Sequence, residues 1–238
     1  MPLRIGFDMD GVLADFSSAF HEIEIGLFGR GTRLTPERPE EQEEQQSRRS
    51  GPSRQEHGGA DERRHRKDAV WRVIQSTPGF WTTLKPIDPS AVRRIRDLML
   101  RHGWEVFFIT QRPATVGETV QRQTQRWLLA QGFDVPSVLV IGGSRGAAAG
   151  ALRLDYHVDD SAQNCLDVLA DGGAKPILVV SDDHDGMARK ARQLGIGVAA
   201  TIGECLEILD QASTAEGDAG VFQMLASAVG WKLSLIHI

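Results

Sequence analysis

Two carboxylates stand two residues apart in Asp8-Met9-Asp10, and Gly11 follows them. An apolar run, residues 5–7, leads into the pair, and Val12, Leu13 and Phe16 come after it. A strand that ends in this way delivers both acids onto a turn that Gly11 makes possible. Calcium loops also contain D-x-D-G, but they need further oxygens at regular spacing and a Glu at about the twelfth position. The apolar flanks here do not provide them. A plainer reading, in which the acids cap a helix, stands beside the catalytic one. Two further polar groups follow apolar runs: Thr110 after residues 106–109, and the pair Asp159-Asp160 after residues 156–158.

The elements that must position these residues are visible as a pattern. Apolar runs occur at residues 5–7, 106–109, 138–141, 156–158, 177–180 and 198–200. Runs this short, and apolar on both faces, are those of a buried parallel sheet. Helix signals lie between them. Asp88-Pro89 reads as an N-cap with Pro at the first helical position; Val92, Ile95, Leu98 and Met99 form one stripe, and Gly103 supplies the stop. Val116, Val120, Trp127 and Leu128 repeat the pattern before Gly132. Strand–helix alternation predicts right-handed crossovers and a three-layer α/β fold. In such sheets chemistry gathers at the carboxyl ends of the strands, where Asp8, Asp10, Thr110, Asp159 and Asp160 fall.

Residues 37–68 contain no Val, Ile, Leu, Met, Phe, Trp, Tyr or Cys, and run from an acidic block into a basic one. Nothing there could offset the entropy of ordering, which predicts a disordered or loosely helical surface insert; a charged docking site is the sharper alternative. The flanks, residues 16–28 and 69–84, hold enough apolar side chains for a small helical cap. The expected division is a core of residues 1–16 and 85–212, a cap region of residues 17–84 that includes the insert, and a tail of residues 213–238. The last six residues resemble the in-frame translation of a sequencing-library adapter, with a genuine short apolar terminus as the alternative.

Taken together, the motifs resemble the haloacid dehalogenase superfamily. Its first motif has the form D-x-D-G-[VT]-[LI], met by residues 8–13; its second is the Thr or Ser that closes the next core strand, here Thr110. The third is a Lys or Arg ahead of the fourth strand, and Arg145 in Gly143-Ser144-Arg145-Gly146 holds that place. The fourth is an acidic pair at a strand end, met by Asp159-Asp160. The resemblance implies a Rossmann-like core with a parallel sheet and a small helical cap inserted after the first strand. It also implies a magnesium-dependent phosphatase. Asp8 would attack phosphorus, and Asp10 would serve as acid and then base. Asp8, Asp160 and the backbone carbonyl of Asp10 would hold Mg²⁺, with Asp159 a ligand through water or a structural acid. Thr110 and Arg145 would bind the phosphoryl group. Arg at the third motif, where relatives usually carry Lys, departs from the pattern: it is planar and differs in reach.

Within the superfamily the resemblance is to the 5'(3')-deoxyribonucleotidases, which share the string D-M-D-G-V-L-A-D-F of residues 8–16 and a P-G-F-[FW]-x-x-L-x-P segment, here residues 78–86. It implies that Phe80 and Trp81 help enclose a nucleobase, with plain packing of cap on core as the alternative. Gln111-Arg112-Pro113 departs from the small residue that usually follows the motif-two Thr. A phosphatase for another small metabolite, or a silent phosphate-binding scaffold, are the rival readings.

The totals agree with this class. The chain has 238 residues and a formal charge of -5, which argues against a nucleic acid polymer or an anionic membrane surface as the main partner. A small phosphorylated substrate is not repelled, because local groups set the field inside a pocket. The N-terminus lacks the features of a signal peptide, and no stretch reaches the ~18 apolar residues of a membrane span. Cys165 and Cys205 show no metal-ligand spacing and read as buried reduced thiols. A cytoplasmic location is expected, and a homodimer is within the expectation. Ser181-Asp182-Asp183-His184-Asp185 reads as helix capping rather than a second metal site.

Overall fold

The structure, a computed structural model, describes residues 2–30, 34, 36, 57–171, 173–180 and 185–214. Residues 37–56 of the charged insert, residues 181–184 and the tail from 215 lie outside the described residues, so the expectations for them do too.

Six strands form the sheet: β1 (Arg4–Asp8), β2 (Glu105–Thr110), β3 (Ser137–Val140), β4 (Tyr156–Asp159), β5 (Lys175–Val179) and β6 (Gly197–Ala199). All pairings are parallel, in the order β3-β2-β1-β4-β5-β6. Each strand coincides with one of the apolar runs, because a strand covered on both faces has no solvent side to mark with polar residues. The chain steps outward from β1 to β3 and then returns to the other side of β1 at β4. Between β1 and β4 the winding reverses, and that crevice is where ligands settle in open α/β sheets.

Helices connect the strands. The helix α1 (Phe16–Phe28) follows β1, and Asp15 caps it by accepting from the Ser18 N–H at 3.0 Å. Next come α2 (His57–Ser76) and a single 3₁₀ turn, Phe80–Thr82. The helix α3 (Pro89–His102) has Asp88 as its N-cap, Pro in its first turn and Gly103 in the left-handed region at its end. Val92, Ile95 and Leu98 are buried and Met99 partly so. The helix α4 (Val120–Ala130) starts at Thr119, so Val116 precedes it and is exposed rather than part of its stripe. The remaining helices are α5 (Arg145–Leu152), α6 (Ala162–Asp171), α7 (Asp185–Leu194) and α8 (Ile202–Thr214).

The stretch between β1 and α3 leaves and rejoins the core at one place. Ala14 bridges Pro86, the Asp15 N–H donates to the Lys85 carbonyl at 2.8 Å, and Ile87 N–H donates to the Leu13 carbonyl at 2.9 Å. Outside that neck, α1 and α2 pack together through Phe16, Phe20 and Trp71, with ring centroids 5.4–5.9 Å apart. Residues 57–68, which composition assigns to the insert, are the first turns of α2. The helix extends back from its apolar half, Val70, Trp71 and Ile74, and in that extension Arg66 Nη2 donates to buried Glu24 at 3.2 Å. Lys67 is buried as well.

Candidate active site

Asp8 is the last residue of the central strand, paired in register with Ile109, and its side chain is buried. Thr110, also buried, lies one residue beyond that pairing at the same edge of the sheet. Ser144 caps the start of α5 by accepting from the Gly146 and Ala147 N–H groups. That start carries Arg145 inward, where its Nη2 donates to Asp8 Oδ1 and its Nε lies 3.5 Å from Asp159 Oδ2. Arg145 Nη1 and Nε are buried, with no hydrogen-bond partner among the described residues. An unpaired buried donor is costly; Nη1 is free to receive an oxygen of an anion, whereas Nε faces the Asp159 carboxylate.

Asp159 is fully buried and its oxygens are already engaged. Oδ1 accepts from the Ser161 N–H at 2.9 Å and the Asn164 amide at 3.0 Å; Oδ2 accepts from the same amide at 3.1 Å and lies 3.0 Å from His157 Nε2. These contacts engage both oxygens, which supports the structural-acid alternative for Asp159 over that of a ligand through water. Burial alone would raise its pKa, but the His157 hydrogen bond, Arg145 and the Ser161 amide outweigh it and hold the carboxyl below the usual range.

Asp160 sits on the open rim with its carboxyl turned towards Gly11. A Cβ on Gly11 would fall inside that carboxylate, and Gly11 has φ 85° besides, so only glycine fits between the two acid motifs. Desolvation, then the charges of Asp159 and Asp10, push Asp160 up to about 7. Asp8 is raised well above its ordinary value by burial; Arg145 opposes the rise, and Asp159, Asp160 and Asp10 add to it. These carboxylates repel one another strongly enough that a cation among them is the natural remedy. Among the described residues no three His, Cys, Asp or Glu side chains are arranged to hold a metal by themselves. The expected set needs fewer: two hard carboxylates, Asp8 and Asp160, and the Asp10 carbonyl, with water and phosphate oxygens filling the rest, as Mg²⁺ prefers. The donor chemistry fits that ion.

Arg112 is the residue that reasoning from sequence passed over. Its Nε and Nη2 donate to Asp10 Oδ2 and Oδ1 at 2.8 and 2.6 Å, and its Nη1 donates to Thr124 Oγ1 at 3.0 Å. The only local signal was its place two residues after Thr110.

Phe80 and Trp81 do not present a stacking face. Both are buried, Trp81 with 1% of its surface exposed, inside a cluster with Phe16. The Trp81 indole N–H donates to the Pro113 carbonyl at 3.1 Å, its backbone N–H donates to Gln123 Oε1 at 3.1 Å, and the Arg112 guanidinium lies 4.8 Å above its ring. The expectation that these rings enclose a nucleobase is corrected to packing, because Phe16 and Arg112 already cover them.

No protein-family model matches the chain. Among solved structures, a Thermotoga maritima protein assigned as a beta-phosphoglucomutase is similar at TM-score 0.53 and 18% identity, over 87% of this chain and 98% of that one. A haloacid dehalogenase-like family hydrolase from Streptococcus pneumoniae gives TM-score 0.52 at 12% identity, over 87% and 98% of the two chains. A hydrolase from Pseudomonas syringae gives TM-score 0.52 at 12% identity, over 88% and 98%. The α/β fold with a parallel six-stranded sheet is therefore the Rossmann-like fold of haloacid dehalogenase superfamily hydrolases. None of these likenesses singles out the 5'(3')-deoxyribonucleotidases. Among the described residues no helix is long and apolar enough to cross a membrane.

Proposed function

We propose that this chain hydrolyses phosphate monoesters through a phosphoryl group carried on Asp8. The observation that carries the reading is the buried Asp8–Arg145 pair at the end of the central strand, with Arg145 Nη1 unpartnered beside it. A phosphate monoester resists nucleophiles because its own charge repels them, so fixed cationic donors must hold it in line. Arg145 supplies such donors, and Thr110 is placed at the same strand edge. A bound Mg²⁺, held by Asp8, Asp160 and the Asp10 carbonyl, would neutralise charge on the phosphoryl oxygens.

In the first step an Asp8 oxygen bonds to phosphorus while the bond from phosphorus to the ester oxygen breaks. Asp10 gives its proton to that departing oxygen. In the second step water bonds to phosphorus, Asp10 takes the water's proton, and the acyl phosphate bond opens to release inorganic phosphate and restore Asp8. Asp159 takes no part beyond holding Arg145.

The substrates are small phosphorylated metabolites. The narrower reading, (deoxy)nucleoside monophosphates, rests on the resemblance of residues 78–86 and draws no support from the buried rings. A cytosolic location belongs to the same reading, supported by the two buried free thiols, Cys165 and Cys205. The test is a phosphatase screen over nucleotide and sugar monophosphates, with and without Mg²⁺. Release of phosphate that requires the metal supports the proposal, and no release from any monoester refutes it.

A further inference from the structure

Arg112 has no step in the mechanism above, yet its guanidinium is committed to Asp10. Two nitrogens meet the two carboxylate oxygens side by side, at 2.8 and 2.6 Å, the bidentate geometry that fixes the plane of a carboxylate as well as its position. The cation itself cannot wander. Its side chain is 1% exposed, its third nitrogen donates to Thr124, and its face lies against Trp81. Trp81 is pinned in turn by Pro113 and Gln123, and the Gln123 amide nitrogen donates to Thr115 Oγ1 at 2.8 Å and the Glu118 carbonyl at 2.6 Å. An Arg held on so many sides is not free to swing onto a substrate.

We propose that Arg112 is a positioning residue for proton transfer, setting the aim of the Asp10 carboxylate and tying it to the packed Phe80–Thr82 turn through Trp81. The inference rests on the reading of Asp10 as the acid and base. Proton transfer works only within hydrogen-bond reach of the reacting oxygen, and a short aspartate without the fork would sample other rotamers. Lysine cannot replace the fork, because it is a point charge with no planar pair of donors.

The test compares two esters. An alkyl monophosphate turned over by the wild-type chain, glycerol phosphate first, needs a proton on its departing oxygen. The p-nitrophenyl ester does not, because nitrophenolate is a stable anion. In Arg112→Lys and Arg112→Met, kcat/KM, which reports the first step alone, should fall about tenfold to a hundredfold for the alkyl ester, against less than about threefold for the aryl ester. Either substitution added to Asp10→Asn should cost the alkyl ester nothing further. Thermal melting checks that the variants fold, and Arg112→Lys, which keeps the charge, carries the contrast if the Met variant does not. Equal losses on both esters, undiminished loss in the Asp10→Asn background, or failure of both variants to fold would overturn the inference alone. Absence of any Asp8-dependent hydrolysis by the wild-type chain would overturn the phosphatase reading, and this inference with it.

Discussion

Replacing Gly11 with alanine separates the fold from the site more cleanly than removing a charged group. Two costs arise. Gly11 has φ 85°, a region that costs an L-residue about 1–2 kcal/mol. For a domain of this size that lowers Tm by roughly 2–8 °C, since 1 kcal/mol corresponds to about 2–4 °C. The second cost falls on function. The new methyl group would overlap the Asp160 carboxylate, and because that carboxylate ends a side chain on the open rim it can yield, by roughly 1–2 Å, without breaking the core. A reacting group displaced that far costs on the order of a hundredfold in rate. Gly11→Ala should therefore melt a few degrees early, bind Mg²⁺ more weakly and lose about two orders of magnitude in kcat/KM. Melting curves, metal titration and phosphate release measure the three effects. Activity within threefold of wild type would show that Asp160 does not need its place against Gly11, and the metal assignment would fail.

Other outcomes follow from the same geometry. Asp160 is pushed up to about 7, so the folded chain holds that proton more tightly than the unfolded one; its stabilising contribution is complete below the unfolded value and is lost as pH rises through 7. In chelator, Tm should fall between about pH 5 and pH 8, and Asp160→Asn should flatten that fall; an unchanged slope would contradict the assigned crowding of acids. Trp81→Ala opens the buried aromatic cluster and should cost about 3–5 kcal/mol. It should slow a nucleotide and a generic ester alike, whereas a loss confined to nucleotides would restore the base-stacking role.

The strands were legible because each centres on a short apolar run, interrupted by a polar side chain only at His157 of β4, and this pattern does not depend on what lies across the sheet. Asp88, Pro89 and Gly103 marked α3 for an equally local reason: cap chemistry is carried by single residue types. Asp8, Thr110 and Asp159 end β1, β2 and β4, as their places after apolar runs predict. What was not legible is tertiary. The order of the strands, and so the neighbourhood of β1 with β4, leaves no trace in any one segment. Arg112 looks like any arginine after a strand until the fold brings Asp10 and Trp81 to it. Trp81 reads as a pocket wall or as core with equal ease, because only the neighbours Phe16 and Arg112 decide. The start of α2 was hidden because Arg66 gains its partner, Glu24, from a helix 42 residues away.

The central claim is that Asp8 attacks phosphorus, and the rate of Asp8→Asn on a monoester the wild-type chain hydrolyses tests it most directly. Asparagine keeps the shape, so the variant should fold and still bind phosphate through Arg145. It cannot form the aspartyl phosphate, and turnover should fall below about a thousandth of wild type, the scale of loss seen when a nucleophile is removed. Retention of more than about a tenth of the activity would contradict covalent catalysis at Asp8.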